Sequence, residues 1–221
     1  MEIRGFNKKN EWDHENAFYW LSDPSRINKI IAHYELYESI STLPGDVLEL
    51  GVYKGNSILR LATYRNTLEN DFSRKIIGFD SFGSFPKENL SLNDDLEFIE
   101  RFENSGGKGL SKEELETIIK AKGFKNIELQ KGNIFKTIPQ YLEKNPQTRI
   151  AFLHLDMDVK EPTAFALEAL FERVVRQGII VIDDYNAISG ATIAIDEFIS
   201  DKELIVKKLA FNDTPSYIIK N

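Results

Sequence analysis

Four aspartates stand at the ends of two apolar runs: "IAFLHLDMD" closes on Asp156 and Asp158, and "GIIVIDD" closes on Asp183 and Asp184. Both runs are short and apolar throughout, as strands of a buried parallel sheet are. If the two strands are neighbours, their C-terminal ends lie about 5 Å apart and the side chains of both converge on one point. Carboxylates that close raise one another's pKa values, so all four do not ionise without a cation. A hard divalent ion resolves the repulsion. The chain has no cysteine and only three histidines, which favours Mg²⁺, Mn²⁺ or Ca²⁺ over Zn²⁺. Three carboxylates on Mg²⁺ would leave about three positions for substrate oxygens and water. A hydroxyl held there would lose its proton more readily, with the fourth carboxylate available as base. The plainer alternatives are aspartates that cap the following helices and a surface ion pair between Asp156 and Lys160. His154 reads as a strand residue packed or hydrogen-bonded near the edge, rather than as a ligand.

A second constellation lies upstream. "GDVLELGVYKGNS" supplies a strand, a glycine turn and a helix start, with Glu49, Gly51 and Gly55 as E-x-G-x-x-x-G. A glycine at the end of a parallel strand lets the backbone turn sharply and approach a ligand, while the helix behind it offers free N–H groups to a carboxylate or phosphate. The G-x-G-x-x-G dinucleotide fingerprint and the P-loop Gly-Lys-Ser/Thr are both absent. Asp80 in "IIGFDSF" ends the next strand, where an acid can accept both hydroxyls of a ribose. Turn and acid together suggest an adenosyl ligand. Gly132 and Asn133 in "LQKGNIF" occupy the next strand end, from which Asn133 is a candidate adenine contact, although Gly-Asn is also ordinary turn chemistry.

These residues need a sheet to position them. From Asp46 onward, β-branched apolar runs alternate with amphipathic segments, the pattern of βαβ units around a parallel sheet. The runs are Asp46 to Leu50, Lys75 to Phe79, Ile127 to Leu129, Ile150 to Leu155 and Gly178 to Ile182, with weaker strands "LIVKKLA" from Leu204 and "PSYIIK" from Pro215. Helices are expected at "SILRLATYRNT", "SKEELETIIKAKG" with Ser111 and Glu114 in capping-box register, "TAFALEALFERVV" and "ATIAIDEFI". A long amphipathic helix, Pro24 to Leu43, precedes the sheet; core packing, cover for the site or a homo-oligomer contact would each suit it. The connection from Ser81 to Gly109 is too long for a plain loop and reads as cover for a site or a mobile segment.

Composition narrows the classes. With 42% hydrophobic and 29% charged residues the chain is globular, and a net charge of −7 without a basic, aromatic-interleaved stretch argues against nucleic acid as a partner. No apolar run approaches a membrane span, and "MEIRGFNKKNEWDHEN" has no signal-peptide core, so a cytoplasmic, membrane-independent protein is expected.

Taken in order, "LPGDVLELGVYKGNS", "GFDSFGSFP", "LHLDMDVKEPTAFALEALF", "GIIVIDDY" and "AIDEF" resemble the class I S-adenosylmethionine-dependent methyltransferases, and more narrowly the macrocin O-methyltransferase (TylF-type) family. The resemblance implies an α/β fold, a doubly wound, seven-stranded, mostly parallel Rossmann-like sheet over residues 46–221, with a helical extension over 1–45 and a lid over 81–109. It implies S-adenosylmethionine bound by Glu49, Gly51, Val52, Tyr53, Gly55, Asn56, Ser57, Asp80, Ser81, Phe82, Gly132 and Asn133. It further implies Mg²⁺ or Mn²⁺ on Asp156, Asp183 and Asp184, with Asp158 as a base or substrate-orienting group; whether Asp156 or Asp158 is the base stays open. The acceptor would be a hydroxyl of a sugar or glycosylated small molecule, with Phe82, Phe85 and Gly106 to Gly109 as wall and hinge of the lid. Met157 stands where the family often has glycine, and Lys160 where an aromatic is common; Lys160 is either a contact to an acidic acceptor or a solvated lysine. Two other classes are weighed. A nucleotide-sugar or dinucleotide oxidoreductase would need the missing glycine fingerprint and a Tyr/Lys pair in register, and a non-catalytic nucleoside-binding module would not need the acidic set.

Overall fold

The computed structural model describes residues 1–221. A short antiparallel hairpin, β1 (Glu2–Ile3) and β2 (Phe6–Asn7), leads into α1 (Glu11–Leu21) and α2 (Ser25–Glu38). There follow β3 (Asp46–Leu50), α3 (Asn56–Leu68), β4 (Ile76–Asp80), α4 (Asn93–Gly106), α5 (Lys112–Ala121) and β5 (Ile127–Lys131). The second half runs α6 (Ile134–Lys144), β6 (Ile150–Leu155), α7 (Lys160–Leu170), β7 (Val174–Ile182), α8 (Ser189–Ile199), β8 (Lys207–Lys208) and β9 (Ser216–Ile219). No helix is long and apolar enough to cross a membrane.

The main sheet has the order β5-β4-β3-β6-β7-β9-β8, parallel through β7 and antiparallel in the last two strands. Winding runs one way from β3 to β5 and the other way from β6 to β7. The switch point between β3 and β6 opens a crevice at the strand C-termini, where α/β folds place ligands. Register aligns that crevice: Leu50 pairs with Leu155 and Leu155 with Ile182, so Gly51, Asp156 and Asp183 stand abreast. Backbone bonds carry the alignment one residue beyond the strands, Asp156 N–H to Leu50 C=O at 2.9 Å and Asp183 N–H to Leu155 C=O at 3.0 Å.

Both sheet faces are covered. Ala32, Leu36, Tyr37 and Ile40 join Ile58, Leu61 and Leu115 on one face, and Ile138, Leu167, Leu170 and Ile195 pack on the other. Each Leu or Ile among them contributes about 1.5–3 kcal/mol on full burial, and strands apolar on both sides are held between two helix layers. The expected capping box of α5 is present, with Glu114 N–H donating to Ser111 Oγ and Ser111 N–H to the Glu114 carboxylate.

Several expectations about elements need correction. The helix expected through Leu43 ends at Glu38. That expected over "TAFALEALFERVV" stops at Leu170, because Val174 and Val175 already belong to β7, after a single tight turn at Phe171–Arg173. Only Lys207 and Lys208 of "LIVKKLA" pair as strand. The connection 81–109 contains α4, and residues 11–21 form α1; α4 has few apolar residues, and those of α1 gather in its C-terminal half, mostly exposed, rather than along one buried face.

Gly51 is where the two halves of the sheet meet most closely. Its φ is +90°, and a Cβ on it would stand 1.7 Å from the Asp156 carbonyl oxygen. No rotamer relieves a clash between backbones. Gly51→Ala is therefore expected to destabilise the protein by about 3 kcal/mol or more, read as a lowered urea midpoint; an unchanged midpoint would contradict the close approach.

Candidate active site

A cavity of about 730 Å³ opens at the switch point. Gly51, Val52, Tyr53, Asn56, Ser57, Asp80, Ser81, Gly132, Asn133, Asp156, Asp158, Asp183 and Asp184 all line it. Three of the expected donor-binding residues do not. Glu49 is fully buried beneath the turn, Gly55 is the left-handed residue (φ 72°) before α3, and Phe82 is packed into the core. Their parts are in building the turn. Asp80 also builds: its Oδ2 accepts the Val52 and Tyr53 N–H groups at 2.8 and 2.9 Å, and its Oδ1 accepts the Phe82 N–H at 2.5 Å. The acid thereby fixes the shape of the glycine turn while facing the cavity. Asn133 caps α6 by accepting the Phe135 N–H at 3.1 Å.

The four aspartates divide into two environments. One oxygen each from Asp156, Asp158 and Asp184 lie within 4.8 Å of one another, and none of the three has a basic side chain as a hydrogen-bonded partner. The Asp158 N–H donates to Asp184 Oδ2 at 3.2 Å, with Asp158 in the left-handed region at φ 64°. Desolvation, followed by the charges of neighbouring aspartates, pushes the carboxyls of Asp156 and Asp184 well above the usual range and that of Asp158 up to about 7.

Asp183 is held differently. Its Oδ2 accepts from the Lys29 ammonium of α2, and its Oδ1 lies 3.5 Å from His154 Nε2 and 3.8 Å from His33 Nε2. His154 Nδ1 is in turn 3.4 Å from Glu49 Oε1, which also accepts from Ser57 Oγ. Separations of 3.4–3.8 Å are polar contacts rather than well-formed hydrogen bonds. Burial opposes a charged Asp183, but His154, His33 and Lys29 outweigh it and hold the carboxyl well below the usual range. Burial likewise opposes an imidazolium at His154, yet Asp183 and Glu49 raise it to about 10. His33, desolvated and beside that cation, is lowered to about 4. Of four clustered carboxylates, one is thus compensated from within the protein and three are not.

The segment 81–109 lines the far side of the cavity through Phe85, Leu90, Phe102 and Gly106 to Gly109. Tyr53 on the glycine turn donates its hydroxyl to the carbonyls of Gly106 (2.5 Å) and Gly107 (2.9 Å). Arg4, from the turn of the β1–β2 hairpin, donates to the carbonyls of Lys108 and Gly109 and pairs with Glu114 at 2.8 Å. Asp95 anchors the other end of α4, accepting the Lys160 N–H at 2.8 Å. The Lys160 ammonium pairs with Glu197 at 2.7 Å, outside the cavity lining and away from Asp156. Sequence reading missed Arg26, Lys29, His33 and Arg60. The available signal was the run "RINKIIAH", in which Arg26, Lys29 and His33 recur at helical spacing along an otherwise apolar helix face.

Among solved structures, the O-methyltransferase NovP is similar over 88% of this chain and 80% of its own, with a TM-score of 0.77 at 20% identity. The SAH-bound methyltransferase PaMTH1 of Podospora anserina is similar over 100% and 98%, with a TM-score of 0.53 at 15% identity. The fold is that of the class I methyltransferases, a Rossmann-like doubly wound sheet. The family description Macrocin-O-methyltransferase (TylF) matches residues 24–214, and the chain belongs to that family. A curated relative, the Streptomyces olivaceus 8-demethyl-8-(2,3-dimethoxy-alpha-L-rhamnosyl)-tetracenomycin-C 4'-O-methyltransferase, is 28% identical over 159 residues. The match covers 71% of this chain and spans 58% of the length of that relative.

The shifted groups give stability a sign with pH. Asp158, at about 7 when folded against an ordinary 3.8, keeps a proton that the unfolded chain has lost, as do Asp156 and Asp184, so stability falls as pH rises through that window. His154, at about 10 against 6.5, adds a fall above pH 6.5. His33, at about 4 against 6.5, acts oppositely but only below 6.5, and the depressed Asp183 acts only below its ordinary 3.8. In chelator, thermal unfolding is therefore expected to shift to lower temperature from about pH 6.5 to about pH 8; a rising midpoint over that interval would contradict these assignments.

Proposed function

We propose that the protein transfers the methyl group of S-adenosylmethionine to a hydroxyl of a sugar or glycosylated small molecule, with Mg²⁺ or Mn²⁺ at the aspartates. The observation that carries this reading is one cavity holding a glycine turn at one end and three uncompensated carboxylates at the other. Family membership supports methyl transfer to oxygen. The SAH in PaMTH1 supports the donor, and the rhamnosyl acceptor named for the Streptomyces relative supports a sugar hydroxyl.

The residues fit a hard cation. They offer only oxygens, they are crowded, and three of them hold raised pKa values that a divalent charge would reverse. Asp156 and Asp184 are the carboxylates free to hold it, and Asp183 is proposed as the third, sharing its charge with Lys29. When bound, the cation would supply Lewis acidity that lowers the pKa of an acceptor hydroxyl. Asp158, whose raised carboxyl pKa a bound cation would bring back down, is the carboxylate proposed to take the hydroxyl proton. The acceptor oxygen forms the new bond to the methyl carbon as the carbon–sulfur bond breaks, and its electron pair returns to sulfur as the neutral thioether. Asp80, Gly132 and Asn133 lie at the adenosine end of the donor, while the turn from Gly51 to Ser57 lies along its amino-acid end. Most of the acceleration asked of this chain is alignment of two reactants.

Titration calorimetry of S-adenosylhomocysteine, with and without Mg²⁺, joined to methyl-transfer assays on a rhamnosyl acceptor, tests the reading. The parent protein is expected to bind the thioether and to lose transfer in chelator. Asp158→Asn is expected to lower kcat by about 10²–10⁴-fold with donor affinity intact. Failure of the parent to bind S-adenosylhomocysteine would sink the reading, and transfer indifferent to chelator would remove the cation from it.

A further inference from the structure

Two guanidiniums in the cavity wall have no counterion. Arg26 on α2 and Arg60 on α3 both line the cavity, and neither makes an ion pair or side-chain hydrogen bond with any group of the chain. Their proximity follows from how the two helices dock. Tyr64 donates its hydroxyl to the Ile30 carbonyl at 2.8 Å and stands edge-on to Tyr34, with ring centroids 5.5 Å apart. Tyr64 lies one turn beyond Arg60, and Ile30 one turn beyond Arg26. The same contact seen one turn toward each N-terminus brings the two arginines together. Burial foremost, with Arg26 adding to it, lowers the pKa of the half-buried Arg60. Lys29, the next cation on α2, is already committed to Asp183. Arg60 is half-buried and Arg26 stands exposed at the rim, and two adjacent cations, one of them partly desolvated, favour an anion between them.

Position selects the anion. Arg60 follows Asn56 and Ser57 by one helical turn, so it extends the face of α3 that the glycine turn opens toward the cavity. A methyl donor lying along Gly51 to Ser57, as the proposed function requires, has a single anionic group. That group is the α-carboxylate at the end remote from adenine. A planar guanidinium fork matches a carboxylate with two parallel hydrogen bonds. Resting on that proposed function, we infer that Arg26 and Arg60 form the binding site for the donor's α-carboxylate. Helix α2 then belongs to the donor pocket, and the Arg26–Arg60 pair distinguishes the intact donor from adenosyl thioethers that lack the carboxylate.

The test pairs two ligands with three proteins. S-adenosylhomocysteine and its decarboxylated analogue, S-adenosyl-3-thiopropylamine, are titrated into the full chain, Arg26→Gln and Arg60→Gln. The parent is expected to prefer S-adenosylhomocysteine by at least about 10-fold, as hydrogen bonds between charged partners do. Each variant is expected to lose about 10-fold for S-adenosylhomocysteine and nothing for the analogue, whose unchanged binding also shows that the variant is folded. Equal affinity of the parent for both ligands overturns the inference, as does an equal loss for both in the variants. Unchanged S-adenosylhomocysteine affinity with a raised acceptor KM also overturns it and assigns the arginines to the acceptor. If the parent binds neither ligand, the proposed function itself fails.

Discussion

Crowding of like charge at the ends of two adjacent parallel strands is the constraint around which the molecule is arranged. Register places Asp156 and Asp183 abreast, with Asp184 next to Asp183 and Asp158 two residues beyond Asp156, so the backbone brings four carboxylates into one corner. Such a corner is stable only where each charge is neutralised, solvated or answered by a cation. The protein answers one of the four. Lys29 and the His154 imidazolium compensate Asp183, while Glu49 compensates His154 from below, so a chain of alternating charge runs from beneath the glycine turn to the cavity floor. Asp156, Asp158 and Asp184 are left with raised pKa values in the absence of any other cation. The unbalanced remainder, rather than the number of carboxylates, is what sets this corner apart electrostatically.

That arrangement makes α2 part of the site and not an appendage to it. The helix carries Ala32, Leu36 and Tyr37 into the core and, on the same winding, aims Arg26 and Lys29 at the cavity and His33 at Asp183. A helix with so mixed a face would be poor at either task alone. Its apolar residues fix its height on the sheet, and that height sets where its cations fall.

Much of this was legible in the residues. The strands of the parallel sheet read clearly because apolar β-branched runs buried on both faces have no other common explanation. The turn at Gly51, Asp80 and the two acidic strand ends were legible because each sits where a parallel strand stops. Less legible was anything decided across the sheet. Whether Asp183 or Asp158 keeps company with Asp156 and Asp184 depends on Lys29, 154 residues away in the chain. His154 looks like an ordinary strand residue in sequence, and its charge comes from Glu49 and Asp183, which no local pattern connects. The long β7 was shortened in the reading because "ERVV" continues a helical pattern, and only pairing of Val174 with Ile150 decides that it is strand.

The rim segment Gly106 to Gly109 is fastened in an unusual manner for a stretch of backbone. The carbonyls of Gly106, Gly107, Lys108 and Gly109 are taken by the side chains of Tyr53, Lys54 and Arg4, and not by neighbouring strands or a continuing helix. Side-chain bonds at an exposed rim exchange for water at small net free energy, roughly 1 kcal/mol apiece. Loosening of Gly106 to Gly109 would therefore break no secondary structure, while α4 itself stays held by buried Ile99 and by Asp95 on the Lys160 N–H. Movement at the mouth then needs no unfolding of the scaffold that keeps the four carboxylates in register.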